Sequence, residues 1–97
     1  KNPRLLLQVA FTILSDERLK VHDFELAATL AKAAIEATGG KDAGALYVHG
    51  RALFEGGKTA EAVAQIKKAI EAASDNPEGR KELESTLKQY EEKLAKK

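Results

Sequence analysis

Apolar residues in this chain recur three and four positions apart, in blocks separated by short polar or glycine-containing intervals. One block carries Leu26, Ala27, Leu30, Ala31, Ala34 and Ile35; another carries Ala62, Val63, Ile66, Ala69 and Ile70. That spacing puts each set on one face of an α-helix and leaves Lys and Glu on the other. Upstream of each lies a further helical stretch, Pro3 to about Ser15 and Asp42 to about Glu55. A last one opens at "SDNPEG", with Leu83, Leu87, Tyr90 and Leu94 as its apolar stripe. The pattern predicts an all-α chain of about five helices and no strand.

The boundaries carry their own signals. Asn2, Asp23, Asp42 and Asn76 are short side chains whose oxygen can accept a free first-turn N–H, and Pro3 and Pro77 suit a first helical position. Gly56-Gly57 supplies the permissive backbone of a tight reversal, and Gly39-Gly40 ends the helix before it. A longer connection is expected at roughly Asp16 to His22. Lys93, Lys96 and Lys97 complement the dipole of the last helix.

The blocks repeat. With Ala27 laid over Ala62, an offset of 35 residues, "LAKAAIEA" (Leu30 to Ala37) covers "QIKKAIEA" (Gln65 to Ala72), with Lys32/Lys67, Ala34/Ala69, Ile35/Ile70, Glu36/Glu71 and Ala37/Ala72 identical. A period in the mid-thirties is that of a two-helix unit. The organisation is therefore one domain: a first repeat over about 2–40, a second over about 41–75 and a capping helix over about 77–96.

Gly57-Lys58-Thr59 spells the end of a phosphate-binding loop, G-x-x-x-x-G-K-[ST], but its first position is Ala52. That loop also needs a preceding strand, and "ALYVHGRALF" repeats at helical spacing instead. The glycines are expected to form an interhelical turn, with Thr59 near the next helix start.

At this point the residues resemble the tetratricopeptide repeat. Over Ala43–Ala73, Leu46, Gly50 and Leu53 stand at that family's bulky-small-bulky positions, Gly57 at its turn, and Ala62, Ile66 and Ala69 at the small-large-small positions of its second helix. Small residues let helices approach, and large ones fill the space between them. The first repeat fits through Leu6, Ala10, Ile13, Ala27, Ala31 and Ala34, with a longer turn. His49 departs from the family's usual Leu, and Ser74 from its frequent Pro. The resemblance implies an α–α superhelix of antiparallel helix pairs, closed by a solvating last helix. The long first turn and charged last helix also resemble repeat segments that follow thioredoxin-like domains in some bacterial chains.

The family lines its concave surface with first helices. The resemblance thus implies a groove of Arg4, Leu7, Phe11, Leu14 and Ser15 facing Gly44, Tyr47, Arg51, Phe54 and Glu55. Leu7, Phe11, Leu14, Tyr47, Arg51 and Phe54 are the candidate partner-binding residues, with Tyr47 and Arg51 of the types that dominate binding anchors. Arg51 can meet a partner's carboxylate or Glu55, four residues on. The carboxylate-clamp subclass of the family uses Lys and Asn in its groove, so these residues imply an apolar or mixed ligand rather than an acidic tail.

The first helix, "LLLQVAFTIL", is apolar nearly all round. Its surplus Leu7, Phe11 and Leu14 can form a peptide groove, meet a second copy, dock on a neighbouring domain of the same chain, or be core. The function expected is a non-catalytic scaffold for a protein or peptide partner. The alternative is a structural docking or self-association module built on that helix.

Composition narrows the field. Net charge is +1, and basic and acidic groups balance along the chain, five and five in residues 1–40, five and five in 41–76, six and five in 77–97. No basic face is concentrated for nucleic acid. There is no long apolar run for a membrane span and no Cys for disulfides, thiolate chemistry or Cys-based zinc sites, which leaves the compartment open. His22 and His49 are the only histidines, without a ligand set around them, and Ser15 and Ser74 have no adjacent His and acid, so no metal, cofactor or catalytic centre is expected. The chain opens at Lys1 and contains no Met, as a piece excised from a longer protein would.

Overall fold

Five α-helices appear in the computed structural model, which describes residues 3–15, 23–40 and 42–96: α1 Pro3–Ser15, α2 Phe24–Ala37, α3 Ala43–Glu55, α4 Thr59–Ala72 and α5 Pro77–Ala95. No strand occurs among the described residues. Asn2 and the connection at 16–22, with His22, lie outside them.

Three helices start on the expected caps. Asp23 Oδ1 accepts from Leu26 N at 2.9 Å, Asp42 Oδ1 from Gly44 N at 2.9 Å, and Asn76 Oδ1 from Gly79 N at 3.1 Å. Such a cap is worth about 1 kcal/mol over Ala. The two glycine turns close in one way: Gly40 N donates to Ile35 O and Lys58 N to Leu53 O, both at 2.8 Å. That six-to-one bond needs a left-handed residue just past the helix, which Gly39 (φ 77°) and Gly57 (φ 87°) provide. "GGKT" is therefore a helix–turn–helix junction: Thr59 opens α4 with its side chain buried, and Lys58 before it makes no side-chain cap.

Each helix packs on the one before and the one after it, and α1 also touches α3. The molecule measures 32 × 27 × 19 Å, and its thinnest dimension leaves room for two helix layers. α2 fills the angle between α1 and α3, and α4 the angle between α3 and α5. The interior is mostly alanine: Ala10, Ala27, Ala31, Ala34, Ala45, Ala62 and Ala69 have no exposed surface. Of the larger described side chains, Ile66 alone is completely enclosed. It lies against Gly50, where a Cβ would stand 2.8 Å from Ile66 Cδ1. Glycine inside a helix costs about 0.5–1 kcal/mol relative to Ala, and here it gives α4 room to seat an isoleucine on α3.

In urea unfolding, Ile66→Ala is expected to cost about 3 kcal/mol and Gly50→Val about 2 kcal/mol. The double variant should cost less than the two together, because the valine methyls enter space that Ile66 vacates. Additive costs would show that the two residues do not share that space.

Candidate functional site

Two adjoining hollows open on the side shared by α1, α3 and α5. The first encloses about 530 Å³ between Arg4, Leu7, Gln8 and Phe11 of α1 and Gly44, Tyr47 and Val48 of α3. The second, about 290 Å³, lies between Phe11, Tyr47 and the α5 residues Gly79, Glu82, Leu83 and Thr86. Phe11 and Tyr47 belong to both, so the hollows form one trough with an aromatic divide. α1 supplies Arg4, Leu7, Gln8 and Phe11 because residues three and four apart share a helical face. Gly79, Glu82 and Thr86 line up on α5 for the same reason.

Of the residues expected in a groove, Arg4, Leu7, Phe11, Gly44 and Tyr47 line the trough, and Arg51 reaches it through Phe11. The Arg51 guanidinium carbon lies 5.2 Å from the centroid of the Phe11 ring, a cation–π contact between α3 and α1. Arg51 Nε also lies 3.8 Å from Glu55 Oε2, one helical turn away. Both side chains are partly exposed, so that pair contributes little, about 0–1 kcal/mol. Together the contacts place the Arg51 charge against its own chain.

Two of the expected groove residues lie elsewhere. Leu14 is 6% exposed, in a core cluster with Ala10, Ala27, Ala31, Val48 and Ala52. Its alanine neighbours are too small to close the α1–α2–α3 junction, and the leucine fills it. Phe54 is half-buried and stacks on Tyr90 of α5, with ring centroids 3.9 Å apart and planes 3° from parallel. The last helix therefore covers the face that Phe54 would offer a partner. Ser15 closes α1, and its side chain is not among those described.

Tyr47 has a double role. It is half-buried and packs against all three core clusters, the one around Ala10 and Leu14, the one that holds Leu46 and Leu83, and the one that holds Ile66 and Tyr90. Tyr90 feels the same enclosure: burial, then the neighbouring Tyr47 and Glu55, push its phenol up to about 12 against an opposing pull from Arg51. Sequence reasoning missed the α5 wall of the trough. Its signal was the three-to-four spacing of Gly79, Glu82 and Thr86 alongside the Leu83–Leu87–Tyr90 stripe.

The remaining α1 side chains divide among its faces. Ala10 and Leu14 are core, Leu6, Leu7 and Ile13 half-buried, and Leu5, Val9 and Phe11 exposed. Phe11 faces the trough, whereas Leu5 and Val9 line a separate outer hollow with Gln8, Thr12 and Ile13.

No group of three or more His, Cys, Asp or Glu side chains with metal-holding geometry occurs among the described residues. No helix there is long and apolar enough to cross a membrane. His49 is half-buried, its Nδ1 2.7 Å from Gln65 Nε2. An amide N–H donating there requires a neutral ring protonated at Nε2. Burial, reinforced by Lys32 and Lys68 and opposed by Glu61, holds His49 below the ordinary imidazole value of 6.5.

As the pH falls through 6.5, the unfolded chain takes up a proton at this position before the folded chain does. The stability contributed by neutral His49 is thus complete above that value and declines below it. Chemical denaturation across this window should show stability falling on acidification, with a shallower slope in His49→Gln. Equal slopes would place the pH dependence elsewhere. Comparison of the chain with models of known families, with curated proteins and with solved structures gave no match.

Proposed function

We propose that this chain is a non-catalytic interaction module that binds a short protein segment in the trough between α1, α3 and α5. One observation carries it: Phe11 stands 45% exposed beside half-buried Leu7 and Tyr47, at the divide of an open trough walled by three helices. An exposed aromatic flanked by concave apolar surface is the setting of a binding anchor. The tetratricopeptide-like spacing of Leu46, Gly50, Ala62, Ile66 and Ala69 supports the same reading, since that family presents first helices to its ligands. Leu7, Phe11, Tyr47 and Val48 form the apolar floor, and Arg51 orients the Phe11 ring.

Exposed Leu5 and Val9, on the outer side of α1, favour a second reading: docking or self-association through that face. In the alignment that pairs Leu6 with Leu46 and Ala10 with Gly50, Leu5 corresponds to Ala45, which is buried. The equivalent position on α3 is thus covered by the chain itself. Light scattering over a range of concentrations tests self-association. A mass that rises with concentration in the parent and not in Val9→Lys would support it, and a strict monomer would remove it.

For the trough, peptides selected from a random library on the immobilised domain should share an apolar residue. Their affinity should fall more than about tenfold in Phe11→Glu. Phe11 belongs to none of the core clusters, so the thermal midpoint of that variant should move by no more than a few degrees. Tyr47→Ala is not an equivalent test, because it also empties the junction of the three clusters. A folded Phe11→Glu variant that binds the selected peptides as well as the parent would overturn the proposal.

A further inference from the structure

The charges on the two hollows differ, and the difference bears on what the trough accepts. On α3 the Arg51 cation is engaged by the Phe11 ring and by Glu55. On α5 the pair Arg80–Glu84, with Nε to Oε2 at 3.8 Å, leaves out Glu82. Glu82 is exposed, lines the second hollow and makes no ion pair with a described residue. Thr86, one turn further, adds a hydroxyl, while Gly79, one turn earlier, presents no side chain to narrow the space. The floor beneath them is Phe11, Tyr47 and Leu83.

A carboxylate at the rim of an aromatic and aliphatic floor has a specific complement. A Lys or Arg side chain can lay its methylenes along Phe11 and Tyr47 and bring its charge to Glu82. An acidic side chain entering the same hollow would lose hydration and meet a like charge. Among the described residues the first hollow has no carboxylate on its lining, and Arg4, in the first turn of α1, is part of it.

We infer that the trough takes a peptide with an apolar side chain in the Leu7–Phe11–Tyr47–Val48 hollow and a neighbouring Lys or Arg in the Phe11–Tyr47–Glu82 hollow. This rests on the groove reading above and adds the ligand's charge to it. Glu82 is the specificity residue, and α5 is part of the recognition surface as well as the end of the fold.

The test is selection from a random peptide library on three immobilised proteins, the parent, Glu82→Lys and Phe11→Glu, each shown to be helical by circular dichroism. The parent should enrich an apolar residue with Lys or Arg nearby, and Glu82→Lys should keep the apolar residue and exchange the basic one for Asp or Glu. A synthetic peptide of the parent's motif should bind Glu82→Gln about threefold more weakly than the parent, and that difference should shrink as salt is raised and the parent's charge pair is screened. An apolar motif with no basic neighbour, or a basic neighbour retained on Glu82→Lys, would overturn the inference and leave the groove standing. Enrichment indifferent to Phe11→Glu, or none on the parent, would overturn both.

Discussion

The seating of Ile66 against Gly50 sets the spacing on which the other contacts depend. Small residues line the helix contacts, with Ala10, Ala27, Ala31, Ala34, Ala45, Ala62 and Ala69 fully enclosed, so the backbones lie close and little volume is left for large side chains. Close approach gains dispersion contact along the whole helix length but buries little apolar area per residue. A domain of this size has few kilocalories in reserve. Its stability therefore concentrates where a large side chain is fully held, and Ile66 on Gly50 is that place among the described residues.

Tyr47 extends the same economy to the surface. One side chain closes three core clusters and forms the divide of the trough. Site and core are thus continuous, and the shape of the trough follows from how α3 sits between α2 and α4. Tyr90 takes the outer face of Phe54, so α5 fixes the far wall. The trough is an open furrow among packed helices rather than a cavity that surrounds its contents.

Electrostatics acts through position more than amount. The charges balance along the chain, yet Arg51 is drawn to Phe11 and Glu55 while Glu82 faces the trough without an ionic partner among the described residues. Burial disfavours the charged form of His49, and its Nδ1 has Gln65 Nε2 as a partner at 2.7 Å. A polar group there is tolerated because it has a partner.

By itself the sequence determined the elements. Period-3.6 blocks, Asp and Asn caps and paired glycines act over a few neighbouring residues, and the boundaries of α1, α3 and α5 follow from them almost residue for residue. The sequence also marked Gly50 as a small and Ile66 as a large packing position, but that the two meet is a finding of the structure. Tertiary structure alone decided the direction of each side chain once two surfaces competed for it. Leu7, Phe11 and Leu14 share one apolar helix, yet Leu14 is core and Phe11 is exposed, since only the angle between α1, α2 and α3 tells which of them meets an alanine wall. In the same way Phe54 went to Tyr90, a contact between residues too distant in the chain for local spacing to register.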